Sequence, residues 1–189
     1  MKIAEIEDHL ITRINGHFEK KLKVVESIPT DFDAAEFERL LRSVPGIFIS
    51  FGFGPAIKQG PTANATISGR WTVVCISGNA GGEKQRRHGS QVEIGAYEIM
   101  ERVIPLLHDY TVPDVGTLTL VDSDNLFTGE LDKKGVSMYA AIFSMPMSFE
   151  SSLLDLNGLN DFVTFDAVYD PAPQNTGVIH IEDHTTLEQ

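Results

Sequence analysis

Ile3, Ile6, Leu10, Ile14 and Phe18 follow one another at steps of three and four residues. That spacing puts them on one stripe of a helix from about Lys2 to His17, with Gly16 weakening its end. The pattern then changes. In "KKLKVVESI" the apolar centre is Val24 and Val25, which reads as a short strand that Pro29 breaks. Asp33 with Glu36 three residues on fits a capping box, and Thr30 with Asp33 offers another. Phe37, Leu40, Leu41 and Val44 form the apolar side of a short second helix, stopped by Pro45 and Gly46. Ile47 to Phe53 is rich in β-branched and aromatic residues and reads as a buried strand.

A loop, "PAIKQGPTANAT", leads to a long strand over about Ala65 to Ser77. Ile67, Gly69, Trp71, Val73 and Cys75 share one of its faces, and Thr72, Val74 and Ile76 the other. Asn79 to Gly89 reads as a loop that stays mobile until it docks. Val92, Gly95 or Ala96, Ile99, Val103 and Leu106 then return to helical spacing, predicting a helix from Ser90 to Leu107 with Pro105 near its end. "VGTLTLVDSDNLF" reads as a strand and a turn. A second long strand starts at Gly135, where Val136, Met138, Ala140 and Ile142 alternate with Tyr139, Ala141, Phe143 and Met145. Pro146 marks an edge position or a bulge in its later half. Beyond Ser151 only short pieces such as "FVTFDAVY" and "GVIHI" carry a strand signal. They read as rim strands, or as an extension that packs on a partner.

Long strands adjoin in pairs instead of alternating with helices, which excludes a doubly wound parallel sheet. The fold class expected is α+β: a mixed or antiparallel sheet of about four to five strands with helices packed on one face. Residues 1–150 form a single domain in this reading, and 151–189 an acidic β-rich C-terminal extension.

Composition narrows the function. The 189 residues are 42% apolar and 22% charged, enough for one well-buried core. A net charge of −12 argues against general nucleic-acid binding, which needs surplus Lys and Arg to displace counterions. Cys75 is the single cysteine and lies mid-strand, so it reads as a small buried hydrophobe. The opening stretch is charged throughout, unlike a signal peptide, and no run reaches the roughly 20 apolar residues of a membrane span. Use in the cytoplasm, or in something assembled there, is expected.

Charge is also uneven. No Lys or Arg follows Lys134, while Glu150, Asp155, Asp161, Asp166, Asp170, Glu182, Asp183 and Glu188 do. Lys84, Arg86, Arg87 and His88 crowd the Asn79–Gly89 segment. A phosphate loop would need Gly-Lys followed by Ser or Thr, whereas here Lys84 follows Glu83 and precedes Gln85. The three glycines of a dinucleotide fingerprint are missing as well. His180 and His184 flank Ile181, Glu182 and Asp183, and the order differs from that of a zinc-protease helix. No Gly-x-Ser-x-Gly elbow occurs. No catalytic, cofactor-binding or metal-ligating residue is therefore assigned. Glu83, Lys84, Arg86 and Arg87 suit contacts between subunits instead, because an Arg fork keeps its charge when partly desolvated. A merely solvated loop is the plain alternative. Trp71, Tyr97, Tyr139 and Phe143 read as core.

"IEDHLITRI", "VPGIFISFGFG", "GRWTVVCISGNAGGEKQRRHGSQVEIGAYEIMERVIPLL" and "GVSMYAAIFSMPMSF" occur in one order and spacing. Over about Met1 to Phe149 the chain thereby resembles the family of Mu-like prophage proteins placed among tail genes, and by that likeness the tail terminators, or tail-completion proteins, of contractile-tailed phages. The strongest piece is the strand, the Asn-x-x-Gly-Glu segment at Asn79–Glu83, and the helix with Gly-x-Tyr at Gly95–Tyr97. The resemblance implies a structural, non-enzymatic subunit without a cofactor. It implies a homo-oligomeric, hexameric ring that caps the tail tube, stops tube and sheath growth, and offers the head-joining surface. The implied partners are other copies of the chain, the tube and sheath proteins, and a head-completion or neck protein, with no membrane. The implied location is the virion tail, assembled in the bacterial host cytoplasm. Two alternatives stand beside this: a head–tail connector of similar fold, and a small α/β hydrolase or nucleotide-binding enzyme.

Overall fold

The computed structural model describes residues 3–30, 34–57, 65–126, 128–149, 164–168 and 182–186. The chain divides into two compact units, Met1–Glu150 and Ser151–Gln189. The first unit is built on helix α1 (Ile3–Phe18), strand β1 (Val24–Ser27), helix α2 (Ala34–Arg42) and strands β2 (Gly46–Ala56) and β3 (Ala65–Gly78). Short helix α3 (Glu83–His88) and helix α4 (Ala96–Leu107) follow, then the strand pair β4 (Thr111–Val112) and β5 (Gly116–Thr117). Strand β6 (Thr119–Asn125), short helix α5 (Gly129–Lys133) and strand β7 (Val136–Phe149) complete it.

Five strands make one sheet in the order β1-β2-β3-β7-β6. Only β1 and β2 run parallel; every other neighbouring pair is antiparallel. The expected α+β class with a mixed sheet holds. The centre is the β3–β7 ladder, which pairs without a break from Ala65 opposite Phe149 to Gly78 opposite Val136.

Period-two burial of β3 and β7 feeds two separate cores. On one face Trp71, Val73 and Cys75 join Ala141, Phe143 and Met145 beneath Ile6, Leu10 and Ile14 of α1 and Ile99, Val103 and Leu107 of α4. On the other face Val74, Ile76, Val136 and Met138 meet Leu40 and Leu41 of α2 and Leu131 of α5. The two long helices thus share one face, whereas the expectation that all helices pack there does not hold for α2. The short α2 and α5 add a smaller cover on the opposite face, because the second set of alternating residues is apolar near the Gly78–Val136 end. Each large side chain removed from water contributes on the order of 1.5–3 kcal/mol.

Specific contacts fix the two long helices against each other. Arg13 of α1 donates from Nε to the carbonyl of Leu106 at 3.1 Å, and its guanidinium lies 3.6 Å from the Tyr110 ring centroid. His9 Nε2 meets Tyr110 Oη at 2.6 Å. Pro146 lies past Ser144, the last β7 residue that β6 pairs, and sits opposite Ser68 in the unbroken β3 ladder with Gly116 close to its carbonyl.

Two expectations lie outside the described residues: the Asp33 capping box and the strand in "GVIHI". Thr30 is described, and its hydroxyl donates to the carbonyl of Phe51 at 2.8 Å. In the second unit, strand β8 (Thr164–Val168) lies within "FVTFDAVY" and pairs antiparallel with strand β9 (Glu182–Thr186).

Candidate functional site

The cation-rich segment after β3 differs from its sequence reading in two ways. It is not a loop. Gly81 donates its N–H to Asn79 Oδ1 at 2.6 Å, closing a turn, and Gly82 takes a φ of 113° that favours glycine. Residues 83–88 then wind into α3. Nor does the following helix start at Ser90. Ser90 Oγ accepts from the Val92 and Glu93 amides in a local turn, and α4 begins only at Ala96 after Gly95. Val92, expected on the buried stripe, is 93% exposed. The reason is a close approach of backbone to backbone. A Cβ on Gly95 would come within 2.2 Å of the Gly89 nitrogen and 2.4 Å of the Arg87 carbonyl oxygen. Gly89 itself has a φ of 80°. The chain must turn there, so helical continuity from Ser90 is impossible.

The four singled-out residues have four different environments. Arg86 is 6% exposed and ion-paired with Asp132 of α5, while its carbonyl accepts from Ser77 Oγ at 2.6 Å. Arg87 grips Glu83 one turn back, donates to Tyr97 Oη at 2.7 Å, and is about a third exposed. Glu83 is half-buried by that pair. Lys84 is exposed, with no ion-pair partner among the described residues. Asn79 Nδ2 donates to Glu93 Oε2 at 2.6 Å, tying the segment's two ends together.

Two tyrosines extend the cluster. The rings of Tyr97 and Tyr139 meet edge-on at 5.5 Å, and both are half-buried, unlike fully buried Trp71 and Phe143. The hydrogen bond from Arg87 draws the Tyr97 hydroxyl below its ordinary pKa, helped by Tyr139. Burial, followed by its bond with Tyr97, pushes Tyr139 up to about 12. Glu83 and Tyr97 hold the Arg87 charge firmly on. Burial pushes the Cys75 thiol well up, so it is inert where it sits.

The sequence reading missed Asp132 and all of α5. A signal existed: Thr128 accepts from the Leu131 N–H at 3.2 Å as an N-cap, ahead of Glu130 and Asp132. No signal pointed to Asp132 as the partner of Arg86, 46 residues away.

Two open clefts of about 390 and 370 Å³ flank the segment. The first is bordered by Lys20, Lys21, Val92 and Glu98, the second by Lys23, Val44, Asn79 and Lys134. Among the described residues no group of three or more His, Cys, Asp or Glu could hold a metal, and no helix is long and apolar enough to cross a membrane.

Fold and site together define an α+β protein whose cation-rich segment holds α3 in place, with Lys84 left outward. The chain belongs to the family described as Bacteriophage Mu, Gp37, which matches residues 2–148. It is 26% identical to the Mu-like prophage FluMu protein gp37 of Haemophilus influenzae over 168 residues, 88% of this chain and 80% of that protein. It is likewise 26% identical to the probable tail terminator protein of Escherichia phage Mu over 161 residues, 85% of this chain and 82% of that one.

Proposed function

We propose that this chain is a structural protein of a phage tail and acts as its terminator. It assembles as a ring on the finished tube, stops tube and sheath growth, and presents the surface that joins the head. Ring formation takes place in the host cytoplasm, and the product stays in the virion tail. The observation that carries this reading is the likeness to the probable tail terminator of Escherichia phage Mu across 85% of the chain.

The geometry is in keeping with a structural role. The polar groups of the Asn79–Gly95 segment are spent on holding α3 between β3, α4 and α5, not on a cavity. Of the four residues, Lys84 and the outer side of the Glu83–Arg87 pair are the ones we assign to contacts with a neighbouring subunit or the tube, while Arg86 positions α3.

The test is removal of the chain from cells producing tails. Tubes of uncontrolled length, not joined to heads and corrected by supplying the chain, are the expected result. Tails of normal length already joined to heads would sink the reading. Tails of normal length beside unjoined heads would replace it with a connector role.

A further inference from the structure

The sheet ends on β1 at one side and on β6 at the other, and no further strand pairs with either outer edge among the described residues. An unpaired edge offers a row of N–H and C=O groups to another chain. The two edges differ in charge. From Val103 to Asp132 the sequence has no Lys or Arg, but it has Asp109, Asp114, Asp122, Asp124, Glu130 and Asp132. Asp122 and Asp124 lie exposed on β6 itself, beside Val121, which is 55% exposed at a register shift. Around β1 stand Lys20 and Lys23 before the strand and Arg42 at the end of α2. All three are exposed, with no ion-pair partner among the described residues. The acid within β1, Glu26, is already held by Arg39 at 2.5 Å.

Strand direction adds a second constraint. β1 runs with β2, and three antiparallel steps separate β2 from β6, so β6 runs opposite to β1. Two copies placed side by side, with the same end of the sheet up and the same face outward, therefore bring β6 of one against β1 of the next as an antiparallel pair. Asp124 and Glu26 lie on one level of the sheet, so a stagger of about three to five residues between copies sets Asp124 and Asp122 against Lys23. That relation is heterologous and repeats, which is what a closed ring requires.

We propose that the β6 edge of one copy, through Asp122 and Asp124, docks on the β1 edge of a second copy, through Lys20, Lys23 and Arg42. The proposal rests on the ring reading and names the contact that builds the ring. It also accounts for both open edges at once, since each copy uses one and offers the other.

Charge reversal tests it in the full chain. Asp122→Lys with Asp124→Lys makes both edges basic, and Lys20→Glu with Lys23→Glu makes both acidic. Each variant alone should lose association in sedimentation and fail to limit tail length, while an equal mixture regains both by alternating around the ring. All four sites are exposed, so circular dichroism should be unchanged. In a separate variant, Lys23→Cys with Asp122→Cys, a short bismaleimide should give a covalent ladder in cells assembling tails. It cannot bridge the two sites within one copy, which lie roughly 25 Å apart: four inter-strand steps of about 4.8 Å across the sheet and five residues of about 3.3 Å along it. Buried Cys75 does not compete. Harmless reversals and an absent ladder, in a chain that still limits tail length, overturn the edge contact and leave the tail reading standing. A ladder from a chain on which tail length does not depend keeps the contact and removes the tail reading.

Discussion

The β3–β7 ladder and the Asn79–Gly95 connection are neighbours in sequence and contrast in construction. In the ladder, every second side chain enters one core or the other, and shape and volume set stability. In the connection, the work is done by two glycines in close backbone contact, one ion pair that is buried only on its Arg86 side, and a handful of side-chain bonds. The ladder averages over many similar contacts. The connection depends on a few unlike ones, so its sequence pattern misleads while its mutational profile should be sharp.

The largest expected effect lies in the ladder. Trp71 is fully buried at its centre and packs on Phe51 with centroids 4.7 Å apart. Trp71→Ala should cost about 3–5 kcal/mol in denaturant unfolding. A loss under 1 kcal/mol would mean that this core is not the main source of stability.

Next come single sites in the connection. Gly95→Ala forces a Cβ into the Gly89 and Arg87 backbone and should cost about 2–3 kcal/mol, far above a usual Gly-to-Ala change. Arg86→Ala should cost about 2–3 kcal/mol by removing the buried side chain that ties α3 to Asp132, while the Ser77 bond to the carbonyl of residue 86 stays. A Lys84→Ala variant, two residues away, should stay within about 0.5 kcal/mol. Equal costs at Arg86 and Lys84 would erase the distinction between an inward and an outward cation. Val92→Ala should also stay within about 0.5 kcal/mol, whereas a position on a buried helical stripe would lose more.

The smallest effect is spectroscopic. In an alkaline absorbance titration, Tyr97 should ionise before an ordinary tyrosine and Tyr139 last, near 12. The signs oppose. Tyr139 holds its proton longer in the folded chain than in the unfolded one, so its contribution is full below the ordinary tyrosine pKa of about 10 and is lost as pH climbs toward 12. Tyr97, with its folded pKa lowered, stabilises above the ordinary value. Arg87→Met should move the early step upward, and Tyr139→Phe should delete the late one. A titration unchanged by Arg87→Met would detach Tyr97 from the α3 cluster.

What the sequence alone determined is whatever repeats. The stripe of Ile6, Leu10 and Ile14 gave α1, and the alternation through Trp71 and Phe143 gave the two long strands and both of their faces, because burial of a regular element imposes its own period on the chain. The spacing of Gly81, Gly82 and Lys84 also matches neither a phosphate loop nor a dinucleotide fingerprint. The tertiary structure alone decided what depends on meetings between distant residues. It brought Arg86 to Asp132, spent Arg87 on Tyr97, turned a presumed loop into α3, and moved the start of α4 from Ser90 to Ala96. Those outcomes rest on single contacts across 6 to 46 residues of chain, from Gly89–Gly95 to Arg86–Asp132, and a contact made once leaves no period to read.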